Sequence, residues 1–406
     1  MTRSWCMNLA IVGSAAVWFS SLGPAGHNHG QTVASPAGKK AGEAFKNVTT
    51  STLKELSVDD FVASMGLISA NLGIDCADCH PNAGTDKADF VIDTPRKIMT
   101  RRMVEMVAGI NRANFGGVQR VTCWTCHHGR ITPSTTIALD AWYDTPVLEF
   151  DDTIRREDGQ PSADQVLDKY LQAVGGAERV AGVTSFVATG SAIGYGDLGG
   201  NADFSLFAKS PNQRAIVISY KDTQRPSSSW SFDGRSGWIK TPRGLLGEYE
   251  LIGSELDGAR FEAQLLFPGQ LRQALTNWRG AAIRSIGDRD FTVVQGGGPR
   301  GFLATLYFDP ATNLLSRIVR YGPSPIGRMP TQIDYADYRD VAGVKFPFEY
   351  KFTWLDGRYT AKLSKIETNV AIDATKFGKP SGKWSSACGV RIRIDGHVRK
   401  ISRSSA

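Results

Sequence analysis

Cys76-Ala-Asp-Cys79-His80 and Cys123-Trp-Thr-Cys126-His127 decide how the front part of this chain is read. Two residues between paired thiols let both sulfurs reach the two vinyl groups of one porphyrin. The adjoining histidine then lies under the iron as its proximal ligand. The pattern predicts two covalently attached haem c groups, with Cys76, Cys79, Cys123 and Cys126 as attachment points and His80 and His127 as iron ligands. A zinc site is the competing reading, since two Cys-x-x-Cys pairs can close a four-thiolate cage, but such a cage has no use for a histidine after each pair. A redox disulfide calls for a strand and a helix of a βαβ unit around the thiols, and neither pair has them.

Working outward, each motif is preceded by a helical pattern that carries methionine. Ser57 with Asp60 three residues on opens the first, Phe61, Met65, Ile68 and Leu72 share one face, and Gly73 ends it. Thr94 and Pro95 open the second, where Met99, Met103, Met106 and Ile110 fall on one face and Gly116-Gly117 closes it. A haem iron takes a sixth ligand or keeps an open position, and the histidines are nearly used up. His27 and His29 lie near the N-terminus, His397 sits in the tail, and His128 adjoins a proximal ligand. Methionine thioether is the natural candidate, and His/Met ligation raises the reduction potential relative to two histidines. Met65 is the candidate for the first haem. For the second, Met103 comes first, Met106 is the alternative and Met99 the third choice. Ordinary core packing is the competing account of any methionine stripe.

Residues 42 to 134 resemble the cytochrome subunit of photosynthetic reaction centres, whose repeating unit is a methionine-bearing helix, a turn and a Cys-x-x-Cys-His helix. The likeness rests on Asn71-Leu-Gly-Ile-Asp-Cys76-Ala-Asp-Cys79-His80, on Met106-Val-Ala-Gly-Ile-Asn111 and on Val121-Thr-Cys123-Trp-Thr-Cys126-His127-His128-Gly129. It implies Met65 and Met103 as the sixth ligands. This chain departs from that family in having two haem motifs where the full subunit has four.

Pro133 and Pro161 flank, and Pro146 interrupts, a linker over residues 135–160. Ser162 and Gln165 then cap an amphipathic helix that buries Val166, Leu167, Tyr170, Leu171 and Val174 and stops at Gly175-Gly176. Beyond it about eleven short alternating strands are expected, from Ser185 to Ala192 through to Arg358 to Thr368, with one helical stretch near Glu262 to Asn277. The fold class expected is therefore multidomain: a mostly α dihaem cytochrome domain, then a mostly antiparallel β half-barrel with one or two helices. The second region resembles the lipoprotein-carrier fold of outer-membrane lipoprotein-sorting proteins, through Tyr170-Leu171-Gln-Ala-Val174-Gly-Gly176, Leu306-Tyr-Phe308-Asp309 and Asp337-Tyr338-Arg339-Asp-Val-Ala-Gly343-Val-Lys-Phe346-Pro347. That likeness spans the domain at residues 161–378 and implies an apolar pocket. Asp309 and Gly343 are read as turn residues.

Arg3, the apolar run from Trp5 to Phe19 and the small residues Gly23-Pro24-Ala25-Gly26 read as an export signal over residues 1–25, followed by a linker over 26–41. The expected location is periplasmic, either soluble or held by an uncleaved N-terminal anchor. A basic tail over 379–406, with Arg391, Arg393, Arg399, Lys400 and Arg403, is expected to lack order. Cys6 and Cys388 are left over from the haem thiols, and no structural disulfide is expected. The formal charge of +7 is spread without a basic stripe and interleaved aromatics, which excludes a nucleic-acid binder. No Ser-His-Asp or Cys-His nucleophile can be assembled from so few histidines.

The functional expectation is a dihaem electron-transfer protein that meets redox partner proteins. Its C-terminal domain would take a lipid, quinone or other apolar ligand, or associate peripherally with a membrane. Two rivals stand beside it: a dihaem oxidoreductase or peroxidase with one open iron, and a lipid carrier whose haems are structural.

Overall fold

The computed structural model describes residues 39–380 apart from 86, 134, 137–153, 155, 196–199, 221–226, 242–246 and 356. The expected signal, most of both linkers, Cys6, Cys388 and the tail from 381 onward lie outside the described residues. Helices occupy the N-terminal part and an open antiparallel sheet of thirteen strands the C-terminal part.

In the helical region a short turn, α1 (Ala41–Ala44), leads to α2 (Val58–Leu72), α3 (Pro95–Phe115) and the one-turn α4 (Cys123–His127). Ser57 Oγ accepts from Asp60 N at 3.1 Å and Thr94 Oγ1 accepts from Lys97 N at 3.3 Å, so the N-caps read from the sequence form. Gly73 and Gly116 end α2 and α3 in left-handed conformations, at φ +63° and +60°.

Within the sheet region α5 (Ala163–Ala173) starts at a complete Ser162/Gln165 capping box and is followed by α6 (Ala177–Ala181). Strands β1 (Ser185–Tyr195), β2 (Gly200–Lys209), β3 (Gln213–Tyr220), β4 (Ser228–Phe232), β5 (Gly237–Lys240) and β6 (Glu248–Glu250) form a meander ending at one edge. The chain then crosses to the opposite edge through α7 (Gly253–Leu265) and α8 (Leu271–Ala274). It returns through β7 (Thr276–Ile286), β8 (Arg289–Gly297), β9 (Leu303–Phe308), β10 (Leu315–Ser324), β11 (Gly327–Val341), β12 (Val344–Trp354) and β13 (Gly357–Thr368). β13 pairs with β1, giving the order β6-β5-β4-β3-β2-β1-β13-β12-β11-β10-β9-β8-β7 with every neighbour antiparallel.

Strand period sets the core. From Gly327 to Asp334 buried and half-buried residues alternate, so Met329, Thr331 and Ile333 share one face. The largest core gathers Phe186, Phe204, Phe261, Phe308, Ile318 and Phe346 beneath α5 and α7. Each such side chain contributes about 1.5–3 kcal/mol relative to leaving it in water. Asp309 Oδ1 caps its turn by accepting from Ala311 N and Thr312 N, each at 3.0 Å, and Gly343, at φ +81°, bends the β11–β12 hairpin.

Two strands were missed, β6 and β7, and the helix expected near Glu262 to Asn277 lies earlier. Pro268-Gly269 stops α7, and the segment to Asn277 holds a 3₁₀ turn, α8 and the start of β7.

The two regions share a core. Ile326 and Met329, from the β10–β11 hairpin, are buried with Leu53, Leu67, Ile68 and Val104 of the helical region. Gln119 Nε2 donates to Ser324 O at 3.0 Å. At the N-terminus of α2, Asp59 Oδ2 accepts from Ile252 N at 3.2 Å and Asp60 Oδ1 accepts from Ser254 Oγ at 2.9 Å, which ties α2 to the start of α7.

Candidate haem centres

The two Cys-x-x-Cys-His motifs are built differently. Cys76 opens a 3₁₀ turn whose cap is Asp75: its Oδ1 accepts from Ala77 N at 2.8 Å and Asp78 N at 3.3 Å, while Asp78 Oδ2 accepts from Asp75 N at 3.1 Å. Cys123 opens α4, where Thr125 Oγ1 accepts from Thr122 N at 3.0 Å. In each pair one thiol is exposed, Cys76 or Cys126, and one half-buried, Cys79 or Cys123. Burial pushes the Cys79 and Cys123 thiols up, so both stay protonated at neutral pH.

Helix α3 braces both motifs. At its start Thr94 Oγ1 donates to Cys79 O at 3.2 Å, and Arg96 pairs with the Asp78 carboxylate. Lys97 is buried, and its Nζ donates to Phe90 O at 3.1 Å and Ile92 O at 2.8 Å. That places Phe90 against the His80 ring, with centroids 4.9 Å apart. Near the other end Asn111 Oδ1 accepts from Arg120 N and Val121 N, each at 3.0 Å, and its Nδ2 donates to Val121 O at 2.8 Å. Helix α2 joins the motifs to each other. Gly129 N donates to Asn71 O at 2.9 Å, and a Cβ on Gly73 would stand 2.1 Å from Gly129 O, so only glycine fits. Cys76 lies three positions after Gly73 and Gly129 two positions after His127, which holds the motifs within about 25 Å of one another.

The histidines suit iron. His127 Nδ1 lies 2.8 Å from Arg130 O; donating there fixes the tautomer and leaves Nε2 as the free lone pair. His80 is pushed down to about 4 by burial and by the Lys97 charge, so its ring is neutral, and its Nδ1 is buried without a hydrogen-bond partner. His128 takes a left-handed conformation at the end of α4, with its ring 5.5 Å from Trp124.

The methionines divide. Val104, Val107 and Asn111 form the buried side of α3, which leaves Met99 51% and Met106 45% exposed and Met103 half-buried. Met99 and Met106 are therefore not core packing. Met65 is half-buried and packs, as Cys123 does, against the cluster of Leu67, Ile68 and Val104. Eight of the nine exposed large apolar side chains among the described residues lie between Val91 and Ile131, beside the motifs. An apolar macrocycle is the group such a surface would cover. Among the described residues no three His, Cys, Asp or Glu side chains converge to hold a metal ion, so the cysteine pairs are not gathered into a zinc cage. The residues present fit haem.

Sequence reasoning missed Asp75, Asp78, Arg96, Lys97 and Asn111 as supports. The Asp75-x-x-Asp78 spacing is a local capping pattern that could have been found; the contacts of Arg96 and Asn111 leave no local signal.

Within the sheet, the apolar interior holds two cavities of about 40 and 30 Å³. Each has room for a few water molecules only. Among the described residues no helix is long and apolar enough to cross a membrane.

Residues 23–168 match the family described as photosynthetic reaction centre cytochrome C subunit. Over 111 residues the chain is 33% identical to the photosynthetic reaction center cytochrome c subunit of Thermochromatium tepidum, covering 26% of this chain and 26% of that protein. The chain thus spans about a quarter of that relative's length. The match makes this part of the chain similar to a cytochrome c subunit. Among solved structures, a LolA superfamily protein from Nitrosomonas europaea is similar over 54% of this chain and 99% of its own, at 13% identity and a TM-score of 0.37. An outer membrane lipoprotein-sorting protein domain from Vibrio parahaemolyticus is similar over 53% and 97%, at 11% identity and a TM-score of 0.32. The strand order itself, rather than these scores, carries the description of the fold.

Proposed function

We propose that the chain is an exported dihaem c-type cytochrome that passes electrons between redox partner proteins, with a sheet region that takes an apolar molecule. The observation that carries the reading is the bracing of two complete Cys-x-x-Cys-His motifs by the same pair of helices, α2 and α3. When bound, a haem supplies one-electron chemistry at a potential tuned by its axial ligands and burial. The chain's residues do the rest. Cys76 and Cys79, and Cys123 and Cys126, would hold the groups covalently; His80 would present a neutral imidazole and His127 its Nε2, with Arg130 O and Phe90 orienting the rings. Met65 and Met103, with Met106 the alternative to Met103, would supply thioether sulfur to the irons. The braces from Thr94, Arg96 and Asn111 keep both motifs fixed, and small structural change on electron uptake is what such a carrier needs.

Carbon monoxide decides between a carrier and an oxidoreductase with an open iron. The reduced native protein, with two haems by pyridine haemochrome, is expected to bind little of the gas. Met65→Ala and Met103→Ala are each expected to add about one binding equivalent per chain. Full binding by the native protein would establish an open iron and overturn the carrier reading.

A further inference from the structure

The crossing helix α7 brings a buried charge cluster to the apolar interior of the sheet. Glu262 lies between Arg214 of β3, whose Nη2 is 2.8 Å from Glu262 Oε2, and Arg320 of β10, whose Nε donates to Glu262 Oε1 at 2.7 Å. Glu255 also accepts from Arg320 Nη2 at 3.4 Å. Burial alone would raise the Glu262 carboxyl; the two guanidinium groups outweigh it and hold the group below its usual range. Two cations and two anions leave the cluster neutral.

Its donors are not all used. Arg214 is 9% exposed, and its Nε has no hydrogen-bond partner. Arg214 and Glu262 form the polar end of the smaller cavity, whose other walls include Phe204, Ile216 and the stacked rings of Phe352 and Tyr359, 5.6 Å apart at 11°. Leu266, Tyr335 and Tyr350 line both cavities and so form the partition between them.

We propose that the two cavities are the ends of one ligand site, opened by movement of that partition, and that it takes a neutral apolar molecule whose carbonyl oxygen accepts from Arg214 Nε. A buried N–H lacking a partner costs about 1–3 kcal/mol, which a ligand oxygen would recover. An added carboxylate would meet a cluster already neutralised, with Glu262 beside it, whereas a carbonyl brings an acceptor without charge. A quinone ring and an acyl ester both present that chemistry. The inference deepens the proposed apolar-ligand role of the sheet region and rests on it.

The test equilibrates the full-length holoprotein with a decyl-substituted quinone, methyl laurate, laurate and dodecylbenzene, and measures bound probe after dialysis. The quinone, the ester or both should bind, and laurate should bind at least ~10-fold more weakly. Arg214→Lys keeps a cation for Glu262 but removes the Nε donor, and should weaken the carbonyl probes ~10- to 100-fold without changing dodecylbenzene. Leu266→Trp, which fills the partition and leaves Arg214 intact, should abolish binding of all probes. Whichever carbonyl probe binds tighter names the source. Preference for laurate, or equal binding of dodecylbenzene with no effect of Arg214→Lys, overturns the carbonyl inference while leaving an apolar site. Binding of no probe overturns the apolar-ligand reading itself.

Discussion

The helical and sheet regions treat apolar surface in opposite ways. Between Val91 and Ile131 large apolar side chains face outward, whereas the described part of the sheet region exposes only Ile193 among its large ones and buries whole rows of aromatic and branched residues. Each region also keeps buried polar atoms without a protein partner, among them His80 Nδ1 in one and Arg214 Nε and Arg320 Nη1 in the other. A sequence that spends its core residues on itself folds around its own side chains. One that turns Met99, Met106 and Phe115 outward leaves apolar surface that its own side chains do not cover.

The sharpest way to separate the regions is to damage the sheet through its buried charges. Glu262→Gln leaves Arg214 and Arg320 without their shared anion, and removing one partner of a buried pair costs about 3–5 kcal/mol. The denaturant midpoint of the sheet, followed by far-ultraviolet circular dichroism, should fall accordingly while haem content stays that of the native protein. Loss of haem in this variant would break the comparison and make the molecule one cooperative unit. Ile326→Ala works from the other side. Ile326 is 1% exposed and belongs to the cluster shared with Leu67, Ile68 and Val104, so its truncation costs about 2–5 kcal/mol. Early release of the helical region, read as proteolysis between residues 134 and 160 with the sheet's unfolding transition unchanged, is the expected outcome. Parallel loss of both transitions would show that the shared core, not the linker, holds the molecule together.

What the sequence disclosed follows the range of the interactions. The caps at Ser57, Thr94 and Ser162 and the two haem motifs were legible because each is closed within a few residues. The position of α7 was not. Gly253 and Gly258 weaken its helical signal, and Gly258 is there because a Cβ would stand 2.5 Å from the Arg320 guanidinium carbon, sixty-two positions away. Strand β7 was hidden by its place directly after helical turns and by Arg279 and Arg284, whose charges break the alternation. Asp60 read as the second half of a cap. Its backbone N–H does cap α2, but its carboxylate turns to Ser254, a contact no local pattern encodes.

That carboxylate gives the smallest and most specific contrast between the regions. Burial, then the neighbouring Asp59 charge, raises Asp60 to about 6 from an ordinary 3.8, and Asp59 is raised by burial as well. A carboxyl held high when folded binds its proton more tightly folded than unfolded. The stability it contributes is therefore full below 3.8 and is lost as pH rises through about 6. A shift of this size corresponds to about 1–2 kcal/mol once solvent access is allowed for. Asp60→Asn keeps an acceptor for Ser254 Oγ and removes the titration. It should be more stable than the native protein by that amount at pH 7.5, with the difference vanishing near pH 4. Glu55 and Glu105, elsewhere in the helical region, are held low by Lys40 and Ser51 and titrate with the opposite sign, so the difference between the two proteins, rather than either curve, isolates Asp60. A difference independent of pH would place the joint between α2 and α7 outside the titration of this group, and would leave the shared apolar cluster as the connection that matters.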